Sequence, residues 1–404
     1  MKRSKWLMLV AMLSALSLVA AACGGDDGDD ETGGGGDGEQ QDCTWVIGTM
    51  GALSGDFASL GKPISEGVEY AVNQANEEGE LPCELELQSE DSQGDPTQAP
   101  ALAEKLIGTE NLIFCACPYF SGETLATGAI FGSAGVAISG TGTNETIDEQ
   151  DPPFETWHRA VAPDNIQAEV AAEYISSLTD GTVAVVHDNQ DYSKGLADAV
   201  AENLGDAAEG PFIINPEEPD FSAVVSQVKN ANPEVVFYGG YTPEAGPLLK
   251  QLREAGVDAT FVSDDGSKDP TFGELAGEEN AEGALVTCPC ADPLKIDAAA
   301  EFVEGMRAEF GENAPGTFAA DVYDVTRMVI EGLKDYDGDV EDYTALRAEV
   351  VSIFDKANYE GVAKTYSWEE SGEFVGGPED IWIYEWSNKD GNFVSLGPAS
   401  DLIE

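Results

Sequence analysis

The chain has 404 residues, 42% of them hydrophobic, which is more than one compact core holds and suits two domains of ordinary size. Its 77 acidic and 19 basic side chains leave a formal charge of −58, so a phosphate backbone would be repelled and nucleic acid is excluded as a partner. A surface this acidic points to adaptation to salt, which screens self-repulsion.

In chain order, Lys2, Arg3 and Lys5 precede an apolar run over residues 6–22. That is the layout of a secretory leader, whereas a membrane span would want about 20 apolar residues and other flanks. The segment Leu18-Val19-Ala20-Ala21-Ala22-Cys23 resembles a bacterial lipobox. Residues 1–22 are therefore expected to be removed and Cys23 lipidated, anchoring the chain to the outer face of the cytoplasmic membrane. Residues 23–42, rich in Gly, Asp and Glu, lack apolar surface and read as a flexible tether.

From residue 43 the pattern alternates. Residues 44–50 and 84–88 read as strands. The helix between them covers 63–79, with Ile64, Val68, Ala71, Val72 and Ala75 on one face and Gly79 at its end. Asp95-Pro96 is expected to open the next helix, burying Leu102, Ala103 and Leu106. Strands at 111–117 and 135–139 follow, with a helix at 123–131 between them. A second series starts after Asp164: helix 165–178, burying Ile166, Val170, Tyr174 and Leu178, then strand 182–188, helix 193–204, strand 212–215, helix 221–230, strand 234–239, helix 244–255 and strands 260–263 and 283–287. Helices at 296–310, 318–334 and 342–357 precede a β-rich tail. Strands alternating with helices of this length imply an α/β fold with two doubly wound parallel-sheet lobes. Ligands bind such sheets outside the carboxyl ends of their strands.

Six cysteines remain after Cys23, an even number suited to disulfides in an oxidising compartment. Cys43 and Cys83 each open a strand of a neighbouring pair and form the preferred bridge. Cys115, Cys117, Cys288 and Cys290 form two C-x-C pairs, for which a four-thiolate zinc site is the alternative.

Catalytic signatures are missing from the sequence: no G-x-S-x-G, no H-E-x-x-H, no P-loop, and two histidines, His158 and His187, both within apparent strands. No enzyme activity, cofactor or metal is expected. The strand-end loops instead suit a zwitterion. Ser121 follows a strand and opens a helix, whose free N–H groups and positive end would cradle a carboxylate; a plain helix cap is the bland reading. The small residues of 139–143, with Thr141 and Thr143, allow close approach to a ligand. In the second series Tyr192, Tyr241 and the pair Asp264-Asp265 stand at strand ends, where a carboxylate would meet an ammonium group.

These pieces resemble the leucine/isoleucine/valine-binding protein family, type I periplasmic receptors of ABC importers, over about residues 44–400. The matching segments are Gly51-Ala52-Leu53-Ser54-Gly55 with Gly61, Glu90-Asp91-Ser92 with Asp95-Pro96, His187-Asp188 with Tyr192 and Gly195, Val236 through Glu244, and Glu282-Gly283 with Leu285-Val286-Thr287. The resemblance implies two lobes closing on a ligand about three crossovers, near 161–164, 288–292 and 362–373. Lobe 1 would comprise 43–163 and 292–372, and lobe 2 would comprise 164–291 and 373–404. It implies that Ser121 and Thr143, with backbone near Thr141, hold an amino-acid carboxylate. Asp265, with Thr143, would hold the ammonium, and Tyr192, Tyr241 and Phe318 would wall the side-chain pocket, with Asp164 at its hinge edge. A monomer that delivers a branched-chain or related amino acid to ABC permease and ATPase subunits is expected. This chain departs from the pattern at Leu60, where a tyrosine is usual, at Asp265, where a glutamate is usual, and near Gln93, where a disulfide cysteine is missing. The rivals are the same fold binding urea, a short amide or an aromatic acid, a sensor docking on a membrane signalling protein, and a zinc enzyme using the C-x-C thiolates.

Overall fold

The computed structural model describes residues 43–216 and 218–403; the expected leader, Cys23 lipidation site and tether lie outside them. Two sheets organise the chain. The first is five parallel strands in the order β2-β1-β3-β4-β5: β1 (Thr44–Gly51), β2 (Glu84–Asp91), β3 (Leu112–Cys115), β4 (Ala137–Gly140) and β5 (Trp157–Arg159). Helices α1 (Ala58–Glu78), α2 (Ala99–Ile107) and α3 (Ser121–Ser133) make the crossovers. Strands buried on both faces read as apolar runs, and Trp45, Ile47, Phe114 and Ile138 are buried in these strands.

The chain then passes to α4 (Asp164–Leu178) and a second unit of β6 (Val183–His187), α5 (Asp191–Leu204), β7 (Ala208–Ile213), α6 (Ser222–Ala231), β8 (Val235–Gly239), α7 (Thr242–Glu254) and β9 (Thr260–Ser263). Short helices α8 (Phe272–Ala276) and α9 (Glu278–Ala281) lead to β10 (Leu285–Cys288). Next come α10 (Ala300–Phe310), α11 (Ala319–Leu333) and α12 (Tyr343–Asp355), then the small pair β11 (Tyr359–Glu360) and β12 (Thr365–Tyr366). Finally β13 (Trp382–Ser387) and β14 (Asn392–Pro398) complete a seven-stranded sheet, β14-β13-β10-β9-β8-β6-β7, in which β13 runs antiparallel to both neighbours.

α11 is buried almost all round and packs on α1, close enough that a Cβ on Gly67 would sit 2.2 Å from the Ala319 carbonyl oxygen. Two of its carboxylates hold the chain returning toward the second sheet. Asp321 pairs with Lys364 at 2.9 Å. Asp324 accepts from the Val362 and Ala363 N–H groups at 2.7 and 2.8 Å and from Tyr366 Oη at 3.1 Å. The six described cysteines form the expected Cys43–Cys83 bridge and close each C-x-C pair on itself, Cys115–Cys117 and Cys288–Cys290.

Some elements differ from expectation. α1 starts five residues before Pro63, which lies inside it, because the N–H groups of Leu60 and Gly61 close the first turn on the Phe57 carbonyl. Asp95 caps no helix; its carboxylate accepts from Thr97 N and Oγ1 at 2.8 and 2.7 Å in a local turn, and α2 begins at Ala99. β3 stops at Cys115, shortly before Pro118, which has no N–H to extend a ladder. Leu178, expected inside, is 44% exposed at the end of α4, while the expected Val170 and Tyr174 are buried together with Gln167, Ala171 and Ile175. β7 lies four residues early as a half-exposed edge strand, where apolarity is a weak signal.

Candidate ligand-binding site

The carboxyl ends of both sheets face one cleft, and the loops that leave them supply its lining. On the first lobe Ser121 is the first residue of α3. Its Oγ accepts from the N–H groups of Thr143 and Asn144 at 3.1 and 3.2 Å, joining the loops after β3 and β4 and leaving its own proton to donate. Thr141 Oγ1 donates to the Tyr119 carbonyl at 2.8 Å. Buried Arg159 donates to the carbonyls of Gly142 and Asn144 and forks onto Glu373 at 2.8 and 2.9 Å. The two loops are pressed together: a Cβ on Gly140 would stand 1.9 Å from the Pro118 carbonyl oxygen. Donors held this rigidly lose little entropy when a ligand arrives.

On the second lobe, the turn after β9 carries two acids with opposite directions. Asp264 Oδ2 accepts from the Gly240 N–H at 2.8 Å and turns into the protein, whereas Asp265 faces the cleft. Asp265 Oδ1 accepts from Tyr192 Oη and from Gln167 Nε2, each at 2.8 Å. Ser263 and Ser267 fix the turn by donating to the carbonyls of Tyr238 and Gly240 at 2.7 and 2.9 Å. Burial pushes Asp265 up to about 6, eased by the Gln167 and Tyr192 bonds. Burial, reinforced by the charge of Asp265, holds Asp164 and Asp264 well above the usual carboxylate range. None of the ion pairs among the described residues involves these three acids. The cleft therefore gathers three buried acids with no direct ion-pair partner; Lys268 acts on Asp265 and Arg159 on Asp164 only through their charge.

Between the lobes lies a narrow, partly open cavity. All seven residues expected at the site line it: Ser121, Thr141, Thr143 and Phe318 from one side, Tyr192, Tyr241 and Asp265 from the other. Leu60, Ile64, Tyr119 and Phe120 complete the wall. Of these, Ile64, Tyr119 and Phe120 were not foreseen, although Tyr119 and Phe120 immediately precede Ser121 in the same strand-end loop. Gln167, which orients Asp265, was also missed; the structure shows it fully buried on α4. Tyr241 packs against Phe57, Phe120 and Tyr192 with ring centroids 5.1, 5.7 and 5.1 Å apart.

Contacts also span the cleft at its rims. Asn144 Nδ2 donates to the Asp191 carbonyl at 2.6 Å. Thr317 Oγ1 donates to the Lys268 carbonyl at 2.8 Å and accepts from Lys268 Nζ at 3.2 Å. Both histidines are buried away from the cavity. His158 stacks on Phe354 at 4.3 Å and is pushed down to about 3 by burial. His187 Nδ1 accepts from the Asn189 N–H at 2.9 Å.

Comparison with known proteins agrees with the fold. The periplasmic binding protein family model matches residues 44–392. The Leu/Ile/Val-binding protein homolog 3 of Brucella melitensis is 30% identical over 359 residues, 87% of this chain and 93% of that one. The branched-chain amino acid transporter substrate binding protein LivJ from Streptococcus pneumoniae, solved in complex with isoleucine, superposes with a TM-score of 0.75 at 23% identity, covering 87% of this chain and 99% of that one. An ABC transporter solute-binding protein from R. palustris in complex with benzoate superposes with a TM-score of 0.74 at 18% identity, covering 88% and 96%.

Proposed function

The chain belongs to the periplasmic binding protein family, and from that premise we propose that it is the extracytoplasmic, lipid-anchored receptor of an ABC importer for a branched-chain or related amino acid. The observation that carries the proposal is the two-ended polarity of the cavity. One end offers the Ser121 hydroxyl and the N-terminus of α3; the other offers the buried carboxylate of Asp265, which makes no direct ion pair. A zwitterion satisfies both ends at once, and each charge-assisted bond contributes roughly 1.5–3 kcal/mol. The aromatic wall of Tyr192, Tyr241 and Phe318 takes the side chain. Micromolar binding, about −8 kcal/mol, is within reach of a few such bonds plus apolar burial.

Only a closed cleft brings both ends onto the ligand, so binding shifts the lobes toward closure and the permease reads the closed shape. The lobes are 43–163 with 292–372 and 164–291 with 373–404, hinged at the three crossovers. The receptor acts as a monomer by binding, not by catalysis, and Cys23 carries the anchor. A second reading, the same mechanism with an aromatic acid, is favoured by the fold shared with the benzoate-bound protein and by the ring-lined wall; the acid at Asp265 weighs against it. Thermal unfolding of the purified protein against all amino acids, urea, small amides and benzoate decides. Ligand at about 100 times its dissociation constant stabilises by about 2.7 kcal/mol. A response to leucine, isoleucine or valine supports the first reading, and one to benzoate alone supports the second. Silence across the panel removes both.

A further inference from the structure

Behind Phe318 lies a second cavity of about 80 Å³, and Phe318 is the partition it shares with the first. We infer that this chamber is an extension of the ligand site, in which Lys268 receives the carboxylate end of a longer amino-acid side chain. The inference rests on reading the first cavity as an amino-acid pocket.

Lys268 belongs to the turn that carries Asp265: its N–H donates to the Asp265 carbonyl at 3.0 Å. Its half-buried ammonium lines the chamber, 4.4 Å from the Tyr384 ring centroid. An ammonium has three protons to place, and one meets Thr317 Oγ1 at 3.2 Å. None of the ion pairs among the described residues includes Lys268. Two acids, Asp292 and Asp321, also line the chamber. Asp321 pairs with Lys364 at 2.9 Å, and Asp292 Oδ1 accepts from the Leu294 N–H at 3.0 Å. Desolvation pushes Lys268 down to about 8, with Asp292, Asp321, Asp265 and Asp269 opposing it from a distance; the group stays cationic at neutral pH. A half-buried ammonium against an aromatic face is placed to accept an anionic partner.

The partition itself is unusual. Phe318 has φ 61°, a left-handed conformation that a bulky side chain adopts only where its surroundings impose it, and such residues gather at ligand clamps. It sits between Thr317, which clasps Lys268, and the first residue of α11. Swinging this ring aside joins the two volumes. A solute with its α-amino and α-carboxylate groups in the first cavity could then reach Lys268 with a terminal carboxylate. Pro293, Pro315 and Ala320 line the chamber for its methylenes.

The test is calorimetric titration of the full chain at neutral pH with L-2-aminoadipate and L-norleucine, which differ by a terminal carboxylate in place of a methyl group. The expected wild-type result is a preference for 2-aminoadipate of at least about tenfold, the value of one charge-assisted bond. Lys268→Met should erase that preference and Lys268→Arg should keep it. The wild-type ratio needs no variant to fold. Norleucine binding as well as or better than 2-aminoadipate, or a preference that survives Lys268→Met, overturns the subsite while leaving the amino-acid pocket standing. If neither these two nor any amino acid binds, the subsite falls together with the reading of the first cavity.

Discussion

Tyr192 Oη donates to Asp265 Oδ1 at 2.8 Å, tying the first turn of α5 to the turn after β9. Gln167 donates to the same oxygen. Two donors on Oδ1 fix the rotation of the carboxylate and leave Oδ2 for a ligand, so the acid is oriented before anything binds.

Removing either end of the site should therefore weaken capture of an amino acid. Asp265→Ala deletes the ammonium partner, and Ser121→Ala deletes a hydroxyl donor and unties the loops after β3 and β4. Each is expected to raise the dissociation constant at least about tenfold by titration calorimetry, the loss of one charge-assisted bond. Wild-type affinity in both variants would remove these assignments.

Asn144 lies outside the cavity lining, yet its side chain donates across the cleft to the Asp191 carbonyl. Its Oδ1 is occupied within its own loop by Thr146 N and Oγ1. Asn144→Ala should leave the association rate nearly unchanged and speed dissociation severalfold, because a bond made on closure contributes to staying closed. Stopped-flow fluorescence separates the two rates; a slowed association with unchanged dissociation would mean that the residue shapes the open form instead.

Most of the architecture could be read from residue order, because strands covered on both faces leave apolar runs and their ends are punctuated by Gly, Ser and Asp. The seven expected site residues line one cavity for the same reason: each follows a strand end or opens a helix. Local pattern could not choose between Asp264 and Asp265, since the choice is made by the Gly240 N–H, which captures Asp264 from the neighbouring loop. Gln167 was hidden because its partner Asp265 is 98 residues away. Tyr119 and Phe120 went unassigned because nothing in a loop sequence says which way a ring points.

More acids are raised by burial than are lowered by hydrogen bonds and nearby cations, and this sets the pH dependence of stability. Glu123 and Glu244 are pushed up to about 8, Asp324 to about 7 and Asp265 to about 6, while Asp164 and Asp264 stand well above their ordinary range. Between pH 8 and 6.5 the folded state therefore holds more protons than the unfolded chain, so stability rises as pH falls. Lys268, lowered to about 8, opposes this in part near pH 8, and His158 and His187, lowered by burial, oppose it near and below pH 6.5. The urea midpoint should be higher at pH 6.5 than at pH 8, and Glu123→Gln should flatten the difference. A midpoint that falls on acidification would mean that these carboxyl groups are ionised in the fold.

A formal charge of −58 repels itself, and salt shortens that repulsion from about 10 Å at 0.1 M to about 3 Å at 1 M. The thermal midpoint is expected to climb steadily with potassium chloride over this range. A midpoint indifferent to salt would show that the acidic surface is spaced widely enough to need no screening.

The three bridges should differ in what they contribute to stability. Cys43 and Cys83 are 40 residues apart and join the starts of β1 and β2, so their bond removes much freedom from the unfolded chain. The loop-entropy relation puts that contribution near 4 kcal/mol. Cys115–Cys117 and Cys288–Cys290 each span two residues, and closing so short a loop restricts the unfolded chain far less. Replacing Cys43 and Cys83 together by serine should lower the unfolding free energy by about 2–4 kcal/mol in urea. The same double replacement at 288 and 290 should cost less, and its effect should fall on ligand affinity, because those residues end β10 where the chain leaves the second sheet for α10. Equal losses of stability from both replacements would show that packing of the buried sulfur atoms, and not chain entropy, is what the bridges supply.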